Sequence, residues 1–231
     1  MLQALAATPL VALPRRVHAE GKVVLMVGSS MMAGGFGLYL GQDLAEQTGC
    51  TIDRRAKTSS GLARPDFYDW VSEGAKMREE SGCDVVVAIF GGNDGQGQWL
   101  GNAYDPPWIR YGEPEWIPEY RRRVNRFADA VAPDRQRLVW IGMPPVRLEK
   151  LNARVAAMNE VYESEMALRP NARFVRTWDV MSVKGKYSDH LKVDGVRTKV
   201  RAPDGVHVSP SGAHFLADFV RPFVAEQLLR D

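Results

Sequence analysis

The stretch KVVLMVGSSMMAGGFGLYL, Lys22 to Leu40, decides the fold. Val23, Val24, Leu25, Met26 and Val27 form a near-continuous apolar run, the pattern of a strand buried on both faces of a parallel sheet. Gly28, Ser29 and Ser30 interrupt the run, and small residues at helical spacing continue to about Gln47. A strand feeding through a tight turn into a helix puts that turn at the carboxyl edge of the sheet. Open α/β sheets bind ligands there, and the helix N-terminus offers unpaired N–H groups to an anion. A serine at such a turn can be a nucleophile, or it can simply cap the helix. The other stretches must decide.

Working outward, Thr51 to Lys57 reads as a short, partly polar edge strand, and Asp66 begins a helical pattern with Pro65 just before it. Cys83 to Phe90 is the clearest strand, closed by Gly91-Gly92-Asn93-Asp94. Arg137 to Met143 and Arg173 to Thr177 supply two more strands, with helical patterns at about 116–132, 148–169 and 211–229. Strands alternating with helices predict an α/β fold with a parallel sheet and right-handed crossovers. Two segments depart from the alternation. Residues 96–116 form a long loop carrying Trp99, Tyr104, Trp108, Tyr111 and Trp116; a loop of this length without secondary structure is usually functional, and its aromatics argue against disorder. Residues 183–201 read as a hairpin turning at Asp194-Gly195.

The chain has 231 residues, 45% hydrophobic and 25% charged, enough for one sizeable core, so residues 20–231 are expected to form a single domain. A net charge of +2 without a long basic run gives no basis for a nucleic-acid partner, and Arg121, Arg122 and Arg123 are expected on a solvated helix face. Leu2 to Leu13 is uncharged and apolar but too short to span a bilayer. Val17-His18-Ala19 after it has the form of a signal-peptidase site, although no cation precedes the run. Residues 1–19 are therefore expected to be what remains of a signal peptide, and the chain to be periplasmic or secreted.

The chemistry lies in three further places. In APDGVHVSPSGA, residues 202–213, Asp204 stands three before His207, just ahead of the last helix. A carboxylate so placed can turn back onto the ring Nδ1–H, leaving Nε2 free as a base. The plainer reading is a surface Asp and a surface His. Asn93 faces the same sheet edge and can donate to a developing oxyanion, as can the N–H groups of Ser30 and Gly61. Alternatively, Asn93 and Asp94 are turn residues selected for local hydrogen bonding.

Taken together, Gly28-Ser29-Ser30-Met31, Gly61, Gly91-Gly92-Asn93-Asp94 and Asp204-Gly205-Val206-His207 resemble the four blocks of the SGNH (GDSL) hydrolase superfamily. Stretches such as SSGLARPDFYDW and APDGVHVSPSG further resemble an exported bacterial subgroup of it. The resemblance runs from about residue 22 to 229. It implies a three-layer, flavodoxin-like fold with sheet order 2-1-3-4-5 and serine ester chemistry without a cofactor; a metal site from Asp204, His207 and His214 is disfavoured because nothing else at ligand spacing completes it. In that scheme Ser30 attacks, His207 oriented by Asp204 is the base, and Ser30, Gly61 and Asn93 form the oxyanion hole. Ser29 stands where the family has Asp, so two adjacent hydroxyls share the turn.

In that sheet order Cys50 and Cys83 enter strands on either side of the first, about 10 Å apart at ~4.8 Å per spacing, and are expected to be unpaired. Arg64 and Trp70 either shape the site or serve as a helix-start cation and a core aromatic. Trp99 and Trp108 either stack on sugar rings or pack the loop on itself. His190 and His214 are expected to be structural. An exported serine ester enzyme meets O-acylated polysaccharides, so the expected reaction removes or transfers a short acyl group, acetyl first, on such a polymer. Transfer implies an acyl-donor partner in the envelope. A lipase- or thioesterase-type hydrolase of small esters is an alternative. A nucleotide-binding enzyme is disfavoured because residues 28–37 contain neither glycine-rich phosphate motif. A glycan-binding module with an idle serine would have no use for Asp204 and His207.

Overall fold

The computed structural model describes residues 19–133 and 136–230. The expected leader lies outside them except for Ala19, which is buried and donates its N–H to the Thr48 carbonyl at 2.7 Å. The elements run β1 (Val23–Gly28), α1 (Ser30–Ala33), α2 (Gly35–Thr48), β2 (Thr51–Ala56), α3 (Trp70–Ser81) and β3 (Val85–Ile89). There follow β4 (Gln98–Trp99), β5 (Trp108–Ile109), α4 (Trp116–Val131), β6 (Arg137–Ile141) and α5 (Glu149–Ala167). The chain closes with β7 (Ala172–Val175), β8 (His190–Val193), β9 (Val196–Lys199) and α6 (Pro210–Leu228).

Five strands form one parallel sheet in the order β2-β1-β3-β6-β7, the order the resemblance implies. Strand character follows sheet position. All of β3 is buried and β1 nearly so, whereas β2, at the edge, is exposed or half-buried along its length. Gly28, Ala56, Ile89 and Ile141 lie level with one another across the register, so the turns after β1, β2, β3 and β6 open at one edge. Two helix groups cover the sheet, α2 against α6, and α3 and α5 each against α4. At the α2–α6 contact the Tyr39 ring stacks on His214, centroids 3.6 Å apart, and Gly35 faces Ala213. His214 is thus a packing residue. Cys50 and Cys83 are buried, unpaired thiols.

Four expectations need correction. The single helix expected after Ser30 is two, parted at Gly34, whose backbone is extended. Arg54 from β2 explains the break: its Nη1 donates to the carbonyls of Met32 (3.0 Å) and Ala33 (2.9 Å), satisfying the end of α1 in place of a further helical turn. The helix expected from Asp66 begins at Trp70, because Asp69 is its cap, accepting from the Val71 N–H at 3.0 Å. Residues 96–116 are not without structure: β4 and β5 pair antiparallel, Trp99 opposite Trp108. Arg123 is not solvated but buried, for a reason that belongs to the site. The 183–201 hairpin is present, its ladder confined to β8 and β9, with Asp194 and Gly195 both at positive φ.

Candidate active site

Ser30 opens α1 directly beyond β1. Gly28 makes the approach feasible, since a Cβ there would lie 2.4 Å from the Ile89 carbonyl oxygen. Of the two hydroxyls, Ser29 is buried at 2% exposure, while Ser30 is half-buried with its Oγ 2.7 Å from His207 Nε2. The His207 Nδ1 lies 2.6 Å from Asp204 Oδ2. With Nδ1–H donating to the carboxylate, Nε2 accepts the serine O–H. Asp204 Oδ1 meanwhile accepts the N–H groups of Val206 (2.8 Å) and His207 (2.9 Å), so Asp204 folds its own loop and holds the ring with one carboxylate. Burial works against the charge, but the ring and these two N–H groups hold Asp204 down at about 2. Arg147 braces the loop from outside, its N–H donating to Gly205 O and its guanidinium to Pro203 O.

Gly61, expected to be an oxyanion donor, lies on the loop after β2, and Asn93 is bonded to that loop. Ser30 N–H, at the first turn of α1, has no carbonyl one turn earlier to bond. Among the described residues the Gly61 N–H donates to no protein acceptor. Asn93 Nδ2 gives one hydrogen to Ser60 O at 3.0 Å, leaving its second unassigned. Ser60 is clamped further: its Oγ donates to Lys57 O and accepts the Trp70 indole N–H at 2.9 Å. Trp70 is therefore a core aromatic, 1% exposed, that fixes the loop after β2 without facing the site.

The sequence reading missed what two buried residues hold together. Asp94, read as part of the Gly91–Asp94 block or as a turn residue, is fully buried and accepts the N–H groups of Ala63 (2.9 Å) and Gly91 (3.1 Å), tying the loop after β2 to the loop after β3. Gly61 is matched to it, since a Cβ on Gly61 would lie 2.4 Å from Asp94 Oδ2. Arg123 pairs with Glu119 at 2.7 Å and donates to the carbonyls of Leu62, Ala63 and Trp99, joining α4, the loop after β2 and the aromatic segment.

Burial pushes the Asp94 carboxyl up to about 6, against the pull of the Ala63, Gly91 and Leu62 N–H groups and the Tyr120 hydroxyl. Since this lies above the unfolded value near 4, the folded state holds a proton between about pH 4 and 6 that the unfolded chain has lost. The stability Asp94 contributes is complete below pH ~4 and declines as pH rises through ~6, by about 3 kcal/mol. Denaturation of parent and Asp94→Asn at pH 4 and 7 is expected to show the parent losing that margin relative to the variant. A pH-independent difference would refute it.

The remaining candidates sit beside this frame. The Trp99 N–H donates to Ala63 O at 3.1 Å, placing the β4–β5 ladder against the loop after β2. Trp99 and Trp108 are half-buried and lie on one another, centroids 4.8 Å apart. Arg64 pairs with Asp66 and lies over the Trp108 ring at 4.9 Å. A cavity of about 330 Å³, lined in part by Leu62, Trp70, Trp99 and Tyr104, opens behind the ladder, and no triad residue lines it. His190 lies in β8, where its carbonyl accepts the Ser188 hydroxyl at 2.7 Å.

Sheet, crossovers and this edge together define the SGNH (GDSL) hydrolase fold. An acetyl xylan esterase from Geobacillus stearothermophilus superposes with a TM-score of 0.57 at 18% identity, covering 93% of this chain and 97% of that one. A GDSL-like lipase from Bacteroides thetaiotaomicron gives 0.58 at 13% identity over 89% and 88%. A carbohydrate esterase family 3 protein from Talaromyces cellulolyticus gives 0.56 at 16% over 90% and 98%. Within this fold the chain belongs to the family DUF459, described as a protein of unknown function, whose model matches residues 23–222. No curated protein matches the chain.

Proposed function

We propose that this chain is a serine ester hydrolase or acyltransferase that removes or transfers a short acyl group, acetyl first, on an exported or cell-envelope polysaccharide. One observation carries the reading: the unbroken chain of short hydrogen bonds from Ser30 Oγ through His207 to Asp204. As Ser30 Oγ attacks the ester carbonyl, its proton passes to His207 Nε2 and the imidazolium is balanced by Asp204. The carbonyl oxygen becomes an oxyanion facing the N–H groups of Ser30 and Gly61 and the free Asn93 amide hydrogen; one such donor is worth about 2.7–4 kcal/mol of barrier. Collapse expels the alcohol, which takes the proton from Nε2. Water, or an acceptor hydroxyl in transfer, then gives a proton to Nε2 and attacks the acyl-enzyme; collapse breaks the Ser30 ester bond, and Ser30 Oγ takes the proton back from Nε2. Transfer would need an acyl-donor partner.

The polysaccharide part rests on the aromatic ladder, in which Trp99 bonds the loop bearing Gly61 through Ala63 and Trp108 stands opposite Trp99. Their half-exposed faces suit the C–H faces of sugar rings. An exported setting rests on the apolar segment and small-x-small site at residues 2–19. The test is acetate release from an acetylated oligosaccharide against turnover of a small aryl ester. Replacing Trp99 and Trp108 by Ala is expected to lower the first by about threefold to tenfold and spare the second. Equal effects on both would sink the sugar-stacking role. Oligosaccharide binding with no ester turnover would instead favour a glycan-binding module.

A further inference from the structure

The β8–β9 hairpin has two unlike faces. Leu191, Val193 and Thr198 turn inward, with Leu191 buried and the other two lining a hollow shared with His214 and Phe215 of α6. In an antiparallel pair, residues directly opposite and residues two apart along a strand share a face. The register sets His190 opposite Lys199 and Lys192 opposite Arg197. These four therefore stand together on the outer face, where Lys192, Arg197 and Lys199 are exposed and His190 half-buried.

Like charges directly opposite destabilise a strand pair. Nothing inside the molecule offsets them well. Among the described residues no carboxylate pairs with Lys192 or Arg197. Asp189, at the start of the hairpin, is engaged by the Tyr187 hydroxyl at 2.7 Å and by Arg147 at 3.5 Å, and lies within the field of His190 and Lys199. Asp194 sits at the hairpin tip. Residues 183–201 contain six Lys and Arg against two Asp, in a chain whose net charge is only +2, so the rest of the molecule is slightly acidic.

The basic face also leads to the site. Arg147 lies over the Tyr187 ring and donates to Pro203 O, one residue before Asp204. The Lys199 carbonyl accepts Ser209 Oγ, and the Ala202 N–H donates to His207 O at 2.9 Å. The second strand of the hairpin thus runs straight into the loop that carries Asp204 and His207.

We propose that the outer face of β8–β9, continued by Arg147, is a binding track for an acidic polysaccharide, one with carboxylates on its sugar units, whose esters it delivers to Ser30. This rests on the ester reading above and specifies the class of polymer. A thin chain fits a narrow basic strip on an otherwise slightly acidic molecule. A nucleic-acid duplex or an anionic bilayer would set that acidic remainder against like charge.

The test uses the full chain carrying Ser30→Ala, with polygalacturonate and neutral xylan as probes in affinity electrophoresis. Polygalacturonate is expected to be retained about tenfold more strongly than xylan, with the difference lost at about 0.5 M salt. Adding Lys192→Gln, Arg197→Gln and Lys199→Gln is expected to weaken that retention about tenfold without lowering the melting temperature, since a repulsive cluster is removed. The charge-keeping pair Lys192→Arg and Lys199→Arg should be retained as the parent is. Equal retention with and without the three cations, equal retention of xylan, or loss in the charge-keeping pair would overturn the proposal. So would stronger binding of duplex DNA or of vesicles rich in anionic lipid at the same ionic strength. Because the readout needs no turnover, failure here leaves the ester reading standing, and failure of the ester assays leaves polymer binding measurable.

Discussion

Ser30→Ala is expected to lower ester turnover by on the order of ten-thousandfold or more and to abolish covalent labelling by a fluorophosphonate. The substitution removes one half-exposed hydroxyl whose only side-chain partner among the described residues is His207 Nε2, so the melting temperature should hardly change. Ser29→Ala is the matched control. Ser29 is buried and its side chain caps no helix N–H, so labelling should persist and turnover should stay within a few-fold of the parent. Mass spectrometry of the labelled protein gives the site directly. Labelling on Ser29, or labelling that survives Ser30→Ala, would remove Ser30 from the mechanism.

The second large effect is expected at the carboxylate. Asp204→Asn should lower kcat by on the order of ten-thousandfold with KM within a few-fold, because the amide no longer enforces Nδ1–H and no longer balances the imidazolium. Asp204 is held at about 2, so it is ionised throughout the range in which esterases are assayed. A loss of only two- or threefold in the variant would mean that a different group orients His207.

Legibility differed sharply between parts of the molecule. The central strands could be read because β1 and β3 are buried on both faces and so must be apolar at nearly every position. Ser30, Asp204 and His207 could be singled out only through the joint resemblance of four blocks, because taken singly each also fits a helix-cap, turn or surface role. The break at Gly34 could not, since its cause is a guanidinium from β2 some twenty positions away.

Arg123 carried a signal that went unused. It lies three residues after Tyr120 and four before Phe127, squarely on the buried stripe of α4, where a solvated cation does not belong. Its neighbours Arg121 and Arg122 disguised it as one of a charged run. Asp94 carried none. Its partners are backbone N–H groups and the empty side of Gly61, and no residue type in the sequence advertises a missing Cβ held open for a carboxylate. The aromatic loop lay between these cases: its residues were evident, but the two-residue ladder that aligns Trp99 with Trp108 was too short for any period to reveal.

The stacking of Tyr39 on His214 has a mechanical meaning. Asp204 and His207 share one self-bonded turn and move as a single part, and Ser30 is the other part. Tyr39 lies in α2, across the Gly34 break from Ser30, and His214 lies in α6, seven residues after His207. The stacked pair therefore couples the segment that follows Ser30 to the segment that follows His207. A change there is expected to shift one segment against the other while leaving Ser30, Asp204 and His207 themselves unsubstituted.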